Sequence, residues 1–205
     1  MRCACSVAAS HRYVSDMTTA AALAALLARH SYREGDFTLS SGARSTFYLD
    51  AKQVTYHPDG VAVVGDAVLQ AIAGLGVQAV GGLTMGADAI IVSTVWASVR
   101  AGAPLPGFVV RKEAKGHGTQ QWIEGIHPKG MTVAIVDDVI TSGASALKAV
   151  DRVEADGAKA VVIVGLVDRL QGGREAIEGR GLQYRAACTI DDVRAAFRNG
   201  AAGRP

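Results

Sequence analysis

Three stretches of the 205-residue chain combine residue types that do chemistry. In the first, Asp137 and Asp138 stand side by side, and Thr141-Ser142-Gly143-Ala144-Ser145 comes after Val139 and Ile140. Paired carboxylates accept hydrogen bonds from vicinal hydroxyls or hold a metal, but they do not hold a phosphate. A small, hydroxyl-bearing turn leading into a helix offers a phosphate free N–H groups and the positive end of the helix. Acids and turn together describe a pocket for a phosphorylated sugar. The second stretch, Arg111-Lys112-Glu113-Ala114-Lys115-Gly116-His117-Gly118-Thr119-Gln120-Gln121, is polar, basic and free of apolar periodicity, and runs to Gly125 or beyond. A connection of that length in a compact domain is usually a lid or disordered. Its cations Arg111, Lys112, Lys115 and His117 suit a departing anion. The third is Asp168-Arg169, where a guanidinium fork matches a planar carboxylate or imide.

These residues need elements to position them. Val133 to Val136 is an apolar, mostly β-branched run that predicts a strand buried on both faces, ending at the acids. Ala146 to Ala155 has helical spacing through Leu147, Val150 and Val153. Lys159 to Val167, Phe108 to Arg111 and Val77 to Gly82 read as further strands. The Gly82-Leu83-Thr84-Met85-Gly86 loop precedes a helix from Ala87 to about Arg100. Upstream, Thr18 or Thr19 caps a helix to about His30, and Phe37 to Asp50 forms a hairpin joined at Ser41-Gly42. Asp59 starts a helix with Val61, Val64, Val68 and Ile72 on one face. Leu182 to Ile190 is expected as an edge strand and Ile190 to Phe197 as a last helix. The alternation predicts a single α/β domain with a mostly parallel sheet. A small N-terminal hood spans about 17–55 and a core about 56–198, with ligands at the carboxyl ends of the strands.

The totals narrow the class. Apolar residues at 49% with 20% charged describe a folded globular chain rather than a disordered one. A net charge of +2 argues against a nucleic-acid or membrane-surface footprint, and no apolar run is long enough for a bilayer. Cys3, Cys5 and Cys188 make no disulfide framework, so a reducing cytoplasm is the expected location. Residues 1–16 lack the helical periodicity that begins after Met17 and are expected to be a disordered extension.

The strand, acidic pair and T-x-G-x-[ST] turn resemble the motif with which type I phosphoribosyltransferases bind 5-phospho-α-D-ribosyl 1-diphosphate (PRPP). The R-K-E-x-K-x-H-G stretch and the hairpin segment T-L-S-S-G-A-R-S-T-F-Y narrow the resemblance to orotate phosphoribosyltransferases, over roughly Thr18 to Phe197. The resemblance implies Mg²⁺-dependent transfer of 5-phosphoribosyl from PRPP to orotate, giving orotidine 5′-phosphate and diphosphate in pyrimidine nucleotide synthesis. It implies that Asp137 and Asp138 hold the ribose hydroxyls, that Val139, Ile140, Thr141, Ser142, Gly143, Ala144 and Ser145 bind PRPP, and that Thr141 to Ser145 among them grip its 5′-phosphate. Arg111, Lys112, Lys115 and His117 then surround the diphosphate, with Lys115 the catalytic contact. Thr141, Arg169, Phe47 and Tyr48 receive orotate, and Mg²⁺ is held mainly through PRPP rather than by protein ligands. The resembling enzymes are homodimers whose loop reaches the neighbouring site, which implies that Lys112 and His117 act in trans. Two positions depart from the pattern: Ser40 and Met85 stand where members carry lysines. Two other readings stay open on these residues, transfer to a purine base and a PRPP-sensing regulator without catalysis.

Overall fold

The structure, a computed structural model, describes residues 18–38, 42, 44–113 and 122–202. Its centre is a six-stranded sheet in the order β5-β4-β3-β6-β7-β8. The strands are β3 (Ala79–Leu83), β4 (Gly107–Val110), β5 (Ile123–Gly125), β6 (Thr132–Ile140), β7 (Lys159–Asp168) and β8 (Gln183–Thr189). All neighbours pair in parallel except β5, which runs antiparallel to β4 with Val109 opposite Glu124. A separate antiparallel pair, β1 (Tyr32–Thr38) and β2 (Arg44–Leu49), forms the N-terminal hood.

Alternation along β6 explains why its apolar run is unbroken. Ala134 and Val136 face one side and Val133 and Ile135 the other, and all four are buried. The first side is covered by α1 (Thr19–His30), α3 (Pro58–Ile72), α4 (Asp88–Arg100) and α7 (Ile190–Ala202), which supply Leu23, Leu27, Val64, Val68, Ile90 and Val193. The second is covered by α5 (Ala144–Ala155), through Ala146, Ala149, Val150 and Val153, and by Ile177 of α6 (Gly173–Glu178). Thr18 caps α1 by accepting from the N–H of Ala21, as its position predicts.

Several boundaries differ from the sequence expectation. β6 does not stop before the acids; it continues through Asp137 and Asp138 to Ile140, because β7 stays paired beside it, with Asp137 opposite Gly165 and Ile140 opposite Asp168. β1 begins at Tyr32 rather than Phe37, five residues of mostly exposed polar side chains having hidden its period. A short helix, α2 (Lys52–Thr55), comes after β2, and the basic loop region contains β5. α7 extends to Ala202, beyond Phe197.

The connections out of the middle of the sheet matter most for function. From β3 the chain leaves through α4 to β4 on one flank; from β6 it leaves through α5 to β7 on the other. The gap between the carboxyl ends of β3 and β6 is therefore a topological switch point, where open α/β sheets bind ligands. Ile135, fully buried on β6 behind this point, tests the packing that holds it. Ile135→Ala is expected to destabilise the fold by about 2–5 kcal/mol, read from the urea unfolding midpoint.

Candidate active site

Two turns meet at the switch point. The first is Thr141-Ser142-Gly143 after β6, leading into α5. Gly143 occupies the N-cap at φ 76°, a left-handed conformation that favours glycine, and no side chain caps the helix. The N–H groups of the first turn of α5 are thus left to a ligand or to solvent. Thr141, Ser142, Ala144 and Ser145 are exposed around this turn, while α6 packs closely behind it: a Cβ on Gly173 would lie 2.6 Å from the Thr141 carbonyl oxygen. The second turn is Gly82 to Ala87, between β3 and α4. A Cβ on Gly82 would meet the Val136 carbonyl oxygen at 2.3 Å, so glycine is what lets this loop lie against β6. Thr84 ties the loop down, its N–H donating to Val110 O and its hydroxyl to Asp88.

The acid pair lies between the two turns. Asp137 is 7% exposed, and its Oδ1 accepts from the Asp138 N–H at 3.0 Å. Asp138 is partly open, and its Oδ1 accepts from the Val139 N–H at 2.8 Å. Gly86 closes over both: a Cβ there would stand 2.9 Å from Asp137 Oδ1 and 3.0 Å from Asp138 Oδ1. Burial, and then the adjacent Asp138 charge, push the Asp137 carboxyl up to about 7. A carboxyl poised there donates or accepts a hydrogen bond as the ligand requires.

Arg169 comes to the same end of the sheet from β7. Buried Asp168 accepts from the Leu170 N–H at 2.8 Å, which folds the chain back and turns Arg169 toward the hood. The Arg169 guanidinium lies 4.5 Å from the centre of the Phe47 ring, and Arg194 lies 4.6 Å from the same ring. Arg169 Nε is buried with no hydrogen-bond partner among the described residues. Burial, and then the Arg194 charge, lower the Arg169 pKa, and an anion in reach of the fork would relieve both strains. Phe47 and Tyr48 do not form one wall for a planar base, as the sequence suggested. Adjacent strand residues point to opposite faces, so Phe47 is buried beneath the two guanidiniums while Tyr48 is 44% exposed beside Phe37.

The basic loop is described only at its stems. Lys115 and His117, like Ser40, lie outside the described residues. The Lys112 side chain is exposed, and its charge acts on Asp137. The Arg111 side chain is engaged by Glu124 at 3.1 Å and by the Glu113 carbonyl oxygen. Both stems are held by Arg152 of α5, which donates to the carbonyls of Arg111 and Lys112 and stacks 3.9 Å above Trp122.

Residues 67–180 match the family model of the phosphoribosyl transferase domain. The orotate phosphoribosyltransferase of Nostoc sp. (strain PCC 7120) is 44% identical over 174 residues, covering 84% of each chain. The crystal structure of the Mycobacterium tuberculosis H37Rv orotate phosphoribosyltransferase with Fe(III) dicitrate superposes with a TM-score of 0.78 at 40% identity, over 86% of this chain and 99% of that one. The same enzyme in complex with PRPP gives 0.75 at 36% identity, covering 86% and 99%. This chain belongs to the orotate phosphoribosyltransferases. An adenine phosphoribosyltransferase from Leishmania donovani, with a TM-score of 0.61 at 18% identity, shares the fold alone.

Within the family frame, two residues of this site had no signal in the sequence. Lys52 of α2 reaches Asp138 Oδ2 at 3.5 Å, and Arg152 grips the loop stems. Both partnerships join residues far apart in the chain, so no local pattern marks them. Met85 is 62% exposed at the mouth of the site, with no cation of its own to offer. His30, His57 and Asp59 form a cluster able to hold a metal, but two imidazoles suit zinc or copper rather than Mg²⁺.

The raised Asp137 pKa makes a stability statement. A carboxyl that binds its proton more tightly in the folded state favours folding below its unfolded pKa, near 4, and this contribution is lost as pH rises to about 7. Asp137→Asn has no such titration. The stability of wild type relative to Asp137→Asn is expected to fall by roughly 2–4 kcal/mol between pH 4 and pH 8, measured by urea unfolding at each pH. A constant difference contradicts the assignment.

Proposed function

We propose that this chain transfers the 5-phosphoribosyl group of PRPP to orotate, forming orotidine 5′-phosphate and diphosphate. The observation that carries the reading is the switch point itself. An uncapped helix N-terminus, an acid pair with one member buried, and an arginine whose buried Nε has no partner among the described residues converge there, and each matches one part of the reaction: phosphate, ribose and carboxylate.

In this reading the N–H groups and hydroxyls of Thr141 to Ser145 hold the 5′-phosphate. Asp137 and Asp138 hold the ribose hydroxyls and favour the positive charge that grows on the sugar ring as diphosphate leaves. The Gly82–Gly86 loop lies beside them for the diphosphate. Arg169, carried on Phe47, faces the orotate carboxylate, and Thr141 orients the ring. Lys115 meets the diphosphate in the transition state, with Arg111, Lys112 and His117 around it, and a closed loop keeps water from PRPP.

The donors fit Mg²⁺ in a limited way. Carboxylate oxygens are the hard ligands it prefers, but backbone N–H groups already occupy Oδ1 of both acids and Lys52 faces Asp138 Oδ2. That pattern suits an ion arriving with PRPP and touching the acid pair, rather than a dedicated protein cage. When bound, Mg²⁺ neutralises charge on the departing diphosphate.

We also propose a homodimer. Val92, Trp96 and Val99 are 68%, 55% and 50% exposed on one face of α4, at spacings of four and three. An apolar stripe of this kind on the helix that succeeds the Gly82–Gly86 loop suits a second copy of the chain, and in the proposed dimer Lys112 and His117 act in trans. Trp96→Glu is expected to give a monomer by sedimentation and to lower turnover at least tenfold. A Trp96→Glu dimer of full activity contradicts this interface.

The function is tested by turnover with PRPP and Mg²⁺ against orotate, uracil, hypoxanthine, guanine and adenine offered separately. Orotate alone is expected to react, and chelating the metal to abolish the reaction. Purine turnover would assign another base, and PRPP binding without any turnover would favour the regulator. Arg169→Ala is expected to raise KM for orotate by about 10–100-fold with little change for PRPP, the loss of a charge-assisted fork. An unchanged orotate KM removes Arg169 from that role.

A further inference from the structure

The geometry points to Lys52 as a positioning residue for ribose, a hood side chain that sets the Asp138 carboxylate for its hydroxyl contact. The inference rests on the PRPP-binding reading of the site and adds to it a residue outside both motifs.

The Lys52 ammonium is held from two sides. It lies 2.8 Å from Asp50 Oδ1 and 3.5 Å from Asp138 Oδ2. Asp50 is itself fixed. It closes the turn after β2 by accepting from the Lys52 N–H at 3.2 Å, and its carbonyl accepts from the Ser31 hydroxyl at 2.7 Å. A line of polar contacts therefore runs from the end of α1 through Asp50 and Lys52 to the acid pair on β6. The hydrogen bond to Asp50, and then the Asp138 charge, outweigh desolvation and raise the Lys52 pKa, so the ammonium stays charged.

Asp138 gains a fixed orientation from this arrangement. Its Oδ1 is set by the Val139 N–H, in the room that Gly86 leaves by carrying no side chain, so Oδ2 is the oxygen left to be fixed. Lys52 restrains it. An aspartate that must grip a sugar hydroxyl as charge develops on the ring benefits from such preorganisation, because little reorganisation remains at the moment of reaction. Lys52 also lines an open cleft of about 520 Å³ with Asp50, Gln53, Tyr56, His57 and Met85. Its side chain, 41% exposed, thus stands where the hood, the acid pair and the loop bearing Met85 meet.

The test is a double-mutant cycle read by calorimetric PRPP binding in the presence of Mg²⁺ and the absence of any base. Lys52→Met is expected to weaken PRPP binding about tenfold, Lys52→Arg to recover most of the loss, and Asp50→Asn to show a smaller loss of the same sign. In an Asp138→Asn background, Lys52→Met and Asp50→Asn are expected to have no further effect beyond about twofold, since Lys52 acts through Asp138. Orotate KM is expected to stay unchanged in Lys52→Arg. Additive losses would make Lys52 a direct ligand of the phosphates and overturn the positioning role, as would a Lys52→Met protein that binds PRPP like wild type. Asp50→Asn carries the same test should Lys52→Met fail to fold. Wild-type protein that binds no PRPP removes the function reading and this proposal together, whereas binding with additive losses removes only the role of Lys52.

Discussion

The structure depends on placing two adjacent carboxylates, Asp137 buried and Asp138 partly open, at the end of a central strand. Two like charges in a low-dielectric site repel, and each loses water on folding. The fold answers with three devices drawn from separate parts of the chain. Backbone N–H groups of β6 bind Oδ1 of each acid, Gly86 leaves them room, and Lys52 supplies a cation. The residual conflict falls on Asp137, which is pushed up to about 7 by burial and by its neighbour. A site of this kind is matched to a ligand that brings its own hydroxyls and positive charge, as a ribose losing diphosphate does.

The same sheet order that positions the acids also places their partners. Because β3 and β6 are neighbours whose crossovers depart to opposite flanks, the Gly82–Gly86 loop and the Thr141–Ser145 turn open toward each other. In the proposed function, two turns on either side of the acid pair receive a substrate with phosphate at one end and diphosphate at the other. Arg169 comes directly after β7 and stacks on Phe47 of the hood, so the side chain proposed to receive the base is held by sheet and hood together. Arg152 anchors the stems of the basic loop to α5, the helix whose uncapped N-terminus is the proposed phosphate cradle. Loop position and cradle position are thereby tied to one element.

Much of this was legible in the sequence because it is local. The strand, acid pair, small turn and helix are contiguous, and the β-branched run, the glycine and the helical spacing each report on a few neighbouring residues. The parallel sheet and its hood emerged from the order of such segments. What escaped was set by tertiary packing. β5 is three residues within a polar stretch and exists because the edge of β4 pairs with it. Phe47 and Tyr48 read as one aromatic wall until the pleat of β2 sent them to opposite faces. Lys52 resembles any lysine at the start of a short helix, and only the approach of β6 gives it a role. Arg152 finds its carbonyl partners about forty residues away in sequence.

PRPP binding between the two turns at the switch point is the central claim, and amide hydrogen exchange with and without PRPP and Mg²⁺ tests it most directly. Slowed exchange is expected in residues 141–147 at the start of α5 and in 83–87 of the facing loop, with the cavity between α1 and α7 unaffected. Protection confined to the α1–α7 cavity, or absent from both turns, would contradict it.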